Sequence, residues 1–114
     1  EEGFFRPLLA YVESARRTRD LDLDLVLPGH GPPFSGHRAV IDRLLGFYAK
    51  RQGRIRALLD AGPATAWDLS CALFPRARPA EAFLTMSETV ANLEVLEARG
   101  EASRDLVDGV YRFR

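Results

Sequence analysis

The sequence predicts a mostly α-helical protein of the α+β class, with one small β-hairpin near its C-terminal end. Apolar residues recur at helical spacing in four stretches, and Gly or Pro marks the ends of most of them. Near the end of the chain, two short apolar runs flank an Asp-Gly pair, which is a preferred hairpin turn. Of the 114 residues, 46% are hydrophobic and 28% are charged, as in an ordinary soluble globular protein.

The N-terminal part predicts one helix, one strand and one rigid turn. A helix is expected over Arg6–Arg19, since its apolar residues share a stripe and Pro7 is tolerated in a first turn. A strand over Leu21–Leu27 follows, because the run becomes continuously apolar, as in strands that are buried on both faces. It ends in Pro28–Pro33, where five of six residues are Pro or Gly and exclude regular structure.

Cap and stop signals then outline two further helices. A long helix is expected to be capped by Ser35 and to end at Gly62-Pro63. Thr65 and Asp68 are spaced as a capping box, with Asp in place of the usual Glu. They open a short helix that stops at Pro75, because proline is excluded from a helix interior.

The last third of the chain predicts one more helix and the hairpin. The helix covers Ala80–Arg99 and ends at Gly100. The strands Ala102–Leu106 and Val110–Phe113 flank the turn at Asp108-Gly109. Three helices, two of them joined by a short turn, and a terminal hairpin together predict a helix-turn-helix with a wing.

The rigid turn carries the most specific motif of the chain. With the helix before it, the string Leu-Asp-Leu-Val-Leu-Pro-Gly-His-Gly-Pro-Pro resembles the final motif of metallo-β-lactamase superfamily hydrolases. The downstream sequence resembles the β-lactamase-associated winged-helix domain. The features that carry this resemblance are Arg51 and Arg54, an Ala-Thr-Ala-x-Asp-Leu stretch, a Phe-Pro pair and a final Asn-Leu-x-x-Leu-x-x-x-Gly segment. The resemblance implies that residues 1–35 are the terminal helix and strand of the catalytic domain. Residues 36–114 are then a winged-helix-like domain with a long linking helix.

By this resemblance, His30 occupies a metal-ligand position. In the family, the histidine of this turn is the last ligand of a two-metal centre, usually of zinc, and the other ligands lie in upstream motifs. A stiff Pro/Gly turn suits this role, since it fixes where an imidazole points and lets the backbone approach an ion. Such a metal lowers the pKa of bound water to about 7, which yields the hydroxide nucleophile. On spacing alone, a plain surface turn residue is the more frequent interpretation.

The remaining ligands of such a centre are missing from this sequence. The only other histidine is His37, and Asp20, Asp22 and Asp24 alternate as on a solvated edge. We expect no catalytic residue in this chain and no zinc bound to it alone, because one ligand gives negligible affinity. The implied function is a non-catalytic accessory region of a metal-dependent hydrolase, which shapes the substrate cleft or mediates oligomer contacts. The substrate can be an ester, thioester, amide or phosphodiester.

The alternative is a winged-helix module that binds nucleic acid or another protein. The 16 basic and 16 acidic residues balance, so no global field draws the chain to nucleic acid. The helix that would read bases carries Glu81, Glu88, Glu94 and Glu97 against the single base Arg99. Sequence-specific DNA binding is therefore disfavoured by charge, since this surface would repel phosphate.

A basic surplus lies on the long helix. Arg51 and Arg54 are the candidates for contacting an anionic substrate at the mouth of the active site, and a solvated helix side is the plainer interpretation. The bases of this helix are Arg38, Arg43, Lys50, Arg51, Arg54 and Arg56.

The remaining expectations concern partners and cellular setting. One cysteine, Cys71, excludes an internal disulfide and fits a reduced, cytoplasmic setting, and we expect it to be buried, with Trp67 and the phenylalanines in the core. No apolar run approaches the roughly 20 residues that span a bilayer. The expected partners are the rest of the catalytic domain and a second copy of the chain, since bare apolar faces over Phe4–Arg19 and Leu21–Leu27 would drive association.

Overall fold

A computed structural model describes residues 6–114 and shows four α-helices with one three-stranded sheet in that range. The helices are α1 (Pro7–Arg19), α2 (His37–Asp60), α3 (Ala66–Leu73) and α4 (Ala82–Ala98), with a 3-10 turn over Pro79–Glu81; the strands are β1 (Ala64–Thr65), β2 (Arg104–Val107) and β3 (Val110–Phe113). The predicted α+β class with a terminal hairpin is confirmed. Phe4 and Phe5, part of the predicted N-terminal apolar face, lie outside the described residues.

The sheet contains a strand that the sequence did not predict. Strand β1 pairs antiparallel with β3, with Ala64 opposite Phe113, and β3 pairs with β2, so the strand order is β1-β3-β2. Two residues are too few to show an alternating pattern. The hairpin turn itself is as predicted, since Asp108 and Gly109 have φ angles of 51° and 79°, the left-handed values that a type I′ turn requires.

The hydrophobic core lies between α2, α3, α4 and the sheet. Its buried residues are Ile55, Leu59, Leu69, Leu73, Leu93, Leu96 and Phe113. Helix α1 covers one side, where Val12 is buried. Two buried amides meet beside this core, since Gln52 Nε2 donates to Asn92 Oδ1 at 3.2 Å, and Arg99 donates to Gln52 Oε1 at 3.0 Å. These buried polar groups are thus hydrogen-bonded, as stability requires.

The two predicted N-caps have opposite outcomes. The capping box is confirmed, because Thr65 Oγ1 accepts from the Asp68 amide and the Asp68 carboxylate accepts from the Thr65 amide, both at 3.1 Å. These bonds hold the pKa of Asp68 below its ordinary value. The prediction of Ser35 as the cap of the long helix is wrong. Gly36 is the N-cap, with a φ of 77° that favours glycine, and it has no side chain to bond the helix amides.

The predicted buried strand over Leu21–Leu27 is reduced to a single bridge. The Val26 amide donates to the Phe34 carbonyl at 2.7 Å, and the Phe34 amide donates back at 3.1 Å. Leu25 and Leu27 are 58% and 75% exposed. An apolar run forms a strand buried on both faces only between neighbouring strands, and the described residues place none beside it.

Cys71 and Trp67 were predicted as buried residues, and both predictions are wrong. Cys71 is exposed and Trp67 is 55% exposed. The helical period turns Leu69 and Leu73 into the core and therefore turns Cys71, midway between them, toward solvent. Among the phenylalanines, the prediction is confirmed for Phe113, which is buried at 2% exposure, and is wrong for Phe47 and Phe83, which are 51% and 80% exposed.

The carboxyl group of Glu94 is buried on α4, with 7% of the residue exposed. Burial raises the pKa of Glu94, and the charges of Arg104 and Arg6 partly oppose this effect. The folded chain therefore binds this proton more tightly than the unfolded chain, so that stability falls as the pH rises above the ordinary value of 4.5. Glu94→Gln removes the buried charge and keeps the shape of the side chain, so it is expected to raise the Tm at neutral pH.

The pH dependence distinguishes this effect from a general gain in stability. The advantage of Glu94→Gln should disappear below pH 4.5, where both states are protonated. Calorimetry at neutral pH and below pH 4.5 measures the Tm difference between the variant and the parent chain. Glu101→Gln, at an exposed residue, is the control. A lower Tm at neutral pH would mean that the carboxylate is stabilised by its basic neighbours rather than destabilised by burial.

Candidate metal-ligand loop

His30 lies in a closed, solvent-exposed loop between α1 and α2. The bridge between Val26 and Phe34 joins the two ends of this loop. Gly31, next to the histidine, has a φ of 89°, a conformation that other residues rarely adopt. The loop therefore presents an accessible imidazole on a stiff Pro/Gly backbone.

Two adjacent residues at the start of α2 fix the beginning of this segment. Arg38 donates from Nε to the Arg19 carbonyl at 3.0 Å and from Nη2 to the Leu21 carbonyl at 2.9 Å. His37 Nε2 lies 2.9 Å from the same Leu21 carbonyl oxygen. Because a carbonyl can only accept, Nε2 carries the proton and donates.

An ion pair completes the connection between the two helices. The Arg19 guanidinium donates to both carboxylate oxygens of Asp42, at 2.5 Å and 3.0 Å. The hydrogen bonds lower the pKa of Asp42 and raise the pKa of Arg19. Both side chains are substantially exposed, so the pair adds little stability, but its two-pronged geometry sets the position of α1 against α2. We call Arg19, His37, Arg38 and Asp42 the α1–α2 clamp.

Sequence reasoning did not find this clamp, since its residues lie far apart along the chain. His37 and Leu21 are separated by 16 positions, and Arg19 and Asp42 by 23. The one available signal was a histidine in the first turn of a helix, which is compatible with many roles.

The residues around His30 do not make a complete metal centre. Within residues 6–114, no group of three or more His, Cys, Asp or Glu side chains is placed to hold a metal ion. Asp22 and Asp24 are exposed, and His37 uses one ring nitrogen on a carbonyl. An exposed imidazole fits the role of one ligand in a metal site whose other donors are not among the described residues.

The two candidate substrate residues have different surroundings. The Arg51 side chain is 15% exposed, with Nε 3.2 Å from a Glu88 carboxylate oxygen and its guanidinium carbon 4.5 Å from the centre of the Phe74 ring. Arg51 thus connects α2 to α4 and to the end of α3. Arg54 is exposed. Both lie about 20–25 Å along the axis of α2 from His37, so the described chain does not bring them near the His30 loop.

The acidic residues of α4 do not form the exposed surface that the sequence analysis predicted. Arg104 donates two hydrogen bonds to Glu97, at 2.6 Å and 2.8 Å, and these side chains are 26% and 12% exposed. Glu88 pairs with Arg51, and Glu94 is buried. The sequence shows these carboxylates but not their basic partners on other elements, and the prediction of their exposure was therefore wrong.

The outer face of α4 is apolar instead. Its exposed residues are Phe83, Leu84, Ser87 and Ala98, none of them basic. Phe83 and Leu84 are 80% and 68% exposed. A helix that reads DNA presents cations and hydrogen-bonding side chains on such a face, and the exposed residues of α4 include no cation.

None of the helices described in residues 6–114 is long and apolar enough to cross a membrane.

The fold and the loop define a class: a small α+β domain that follows a helix and an exposed histidine loop. A comparison with family models matches residues 53–114 to "Metallo-beta-lactamase-like, C-terminal domain". The chain therefore belongs to the metallo-beta-lactamase-like C-terminal domain family, as the sequence resemblance implied.

Individual relatives extend the likeness over nearly the whole chain. A probable metallo-hydrolase of Bacillus subtilis (strain 168) is 42% identical over 93 residues, which cover 82% of this chain and 29% of the relative. A beta-lactamase domain protein from Burkholderia ambifaria has a TM-score of 0.83 at 32% identity, covering 96% of this chain and 33% of its own. A metallo-beta-lactamase family protein from Thermus thermophilus has a TM-score of 0.73 at 34% identity, covering 96% and 34%. The chain thus spans about a third of the length of these relatives.

Proposed function

We propose that this chain is the C-terminal accessory region of a metal-dependent hydrolase with the metallo-β-lactamase fold. The observation that carries the proposal is His30, exposed in a closed loop that precedes a domain of this family. The chain cleaves no bond itself. It supplies one metal ligand and shapes one side of the substrate cleft.

In this proposal, His30 is the last ligand of a two-metal zinc site whose other ligands belong to the catalytic domain. When bound, the zinc supplies a hydroxide nucleophile at neutral pH. The contribution of this chain is to place the imidazole, as the bridge between Val26 and Phe34 and the α1–α2 clamp do. The substrate remains an ester, thioester, amide or phosphodiester.

The division into parts and the partners follow from the same proposal. Residues 1–35 belong to the catalytic domain, and residues 36–114 form a winged-helix-like domain with α2 as the linking helix; the order helix, strand, helix, helix, hairpin supports this. The first partner is the rest of the catalytic domain. The exposed Leu25 and Leu27 support a second contact, with another copy of the chain. A cytoplasmic location fits the single cysteine.

A chimera tests the proposal. This chain replaces the matching C-terminal region of the Bacillus subtilis relative, to which it is 42% identical over 93 residues. We expect the chimera to bind about two zinc ions and to hydrolyse at least one substrate of a panel of esters, thioesters, amides and phosphodiesters. The Bacillus subtilis relative, truncated before this region, should neither bind about two zinc ions nor hydrolyse these substrates. A truncated relative that keeps full zinc content and activity would contradict the proposal.

Arg51 and Arg54 remain the proposed substrate contacts, and their surroundings predict different results. Arg54→Ala in the chimera should raise KM for an anionic substrate by about 10–100-fold, since a charge-assisted hydrogen bond contributes roughly 1.5–3 kcal/mol, and should leave the Tm unchanged. Arg51→Ala should raise KM and also lower the Tm, because it breaks the contacts with Glu88 and Phe74. Arg43→Ala, on the same helix, is the control. An unchanged KM in both variants would remove this role.

A second function, as a protein-interaction module, is favoured by one observation. An apolar groove of about 440 Å³ lies along α4, lined in part by Pro7, Phe83, Met86 and Val90. Exposed apolar grooves suit protein partners better than phosphate. A gel-shift titration with duplex DNA at micromolar protein should therefore show no salt-sensitive binding, and clear binding would favour the nucleic-acid alternative.

A further inference from the structure

We propose that His37 and Arg38 are positioning residues that set the metal affinity of His30 without touching the metal. This inference rests on the proposed function, in which His30 is a zinc ligand. Neither residue was a candidate on the basis of the sequence. Both act through the backbone at Leu21, where the segment that carries His30 leaves α1.

Hydrophobic burial within the described chain holds this segment only in part, through the half-buried Val26, Pro28 and Phe34. Its leucines are largely exposed: Leu21 at 53%, Leu23 at 36%, Leu25 at 58% and Leu27 at 75%. Segments with few buried apolar contacts open easily, because little free energy is lost when they move. Within this chain, the position of His30 therefore depends largely on polar contacts.

Those contacts lie at the two ends of the segment. At the far end, the bridge between Val26 and Phe34 closes the loop on itself, but it does not tie the loop to a helix. At the near end, the Leu21 carbonyl accepts from both His37 and Arg38 at 2.9 Å, which uses both lone pairs of the oxygen. The clamp thus connects the loop to the rigid start of α2.

His37 is the stronger of the two anchors. It is 5% exposed, so water competes little for its hydrogen bond, and its ring is fixed by packing as well as by the bond. Arg38 is exposed, and its bonds to Arg19 and Leu21 are open to water. We therefore expect the loss of His37 to have the larger effect.

The expected size follows from the narrow geometry of zinc. A ligand nitrogen must lie about 2.0–2.1 Å from the metal, so a loop that samples many positions binds more weakly. Residues that orient a metal ligand typically change affinity 10–100-fold. His37 acts on His30 only through the backbone at Leu21, so His37→Ala in the chimera should weaken zinc binding by about 10-fold, the lower end of this range.

The experiment measures the zinc Kd of the chimera by competition with a chromophoric chelator. The variants are His37→Ala, His37→Gln and Arg38→Ala, with Arg43→Ala as a control base on the same helix. Glutamine keeps an N–H donor near the position of the imidazole Nε2, so His37→Gln should restore most of the affinity. If His37 only filled space, His37→Gln would not restore the zinc affinity. If His37→Ala fails to fold, Arg38→Ala tests the positioning role in its place.

A second readout needs no metal. In the chain alone, hydrogen exchange of the Val26 and Phe34 amides, which are bonded across the base of the loop, should accelerate in His37→Ala, while amides around Ile55 and Leu93 stay protected. If the parent chimera binds zinc and the His37 and Arg38 variants bind it equally well, the positioning role is overturned and the proposed function stands. A parent chimera that binds no zinc would overturn both. Unchanged exchange in the loop would show that His37 does not anchor it.

Discussion

His30→Ala is expected to abolish high-affinity zinc binding and to lower hydrolysis by about 10²–10³-fold in the chimera with the Bacillus subtilis relative. In the proposed site, the His30 imidazole is the group among the described residues that would contact the metal. Its removal opens a coordination position at a site that needs every donor. The helical core lies elsewhere, so the metal-free variant should keep its Tm. Metal analysis after dialysis and initial-rate assays measure the two effects.

The matched control for this prediction is Asp22→Asn, in the same exposed segment. A conservative change there should leave zinc content and rate unchanged, because the alternating aspartates face solvent rather than a metal. If Asp22→Asn lost zinc while His30→Ala retained it, the ligand assignment would be wrong. Loss in both would indicate that the loop as a whole, rather than its histidine, is required.

Leu93→Ala is expected to destabilise the chain by about 3–4 kcal/mol, which is a large part of the roughly 5–15 kcal/mol typical of a domain. Leu93 is completely buried in the cluster that joins α2, α3, α4 and the sheet. The substitution removes buried methyl groups and leaves a cavity that the surrounding helices cannot fill. The Tm should fall by roughly 12–25 °C. Chemical denaturation with circular dichroism gives the free energy of unfolding.

Leu84→Ala, on the same helix, is the matched control. Leu84 is 68% exposed, so the same chemical change should alter stability by less than about 0.5 kcal/mol. Equal losses in the two variants would mean that the core is not where the structure places it. A large loss at Leu84 alone would indicate that the outer face of α4 is buried against another copy.

The parts of the fold that the sequence predicted are those with local signals. The capping box at Thr65 and Asp68 and the turn at Asp108-Gly109 each depend on residues within four positions of one another. The helices follow from the apolar period, which tertiary packing reinforces here. The sequence also indicated the family, because the Pro-Gly-His-Gly turn resembles a motif of that family.

The predictions that were wrong, and the contacts that were missed, depend on residues far apart in the sequence. Leu25 and Leu27 carry the pattern of a buried strand, but a strand needs neighbours that the pattern does not reveal. Glu88 and Glu97 are acidic in any sequence count, yet each pairs with an arginine of another element. The clamp at Leu21 joins residues 16 or more positions apart. Such contacts exist only after folding, so a single sequence does not show them.

A zinc titration of this polypeptide by itself tests the main conclusion most directly. The chain offers one imidazole in an exposed loop, and a single donor does not compete with water for the ion. Calorimetry should therefore show no binding at micromolar zinc, and the purified chain should contain no metal. Tight, stoichiometric zinc binding by these residues alone would contradict the proposal that the chain supplies one ligand of a shared centre.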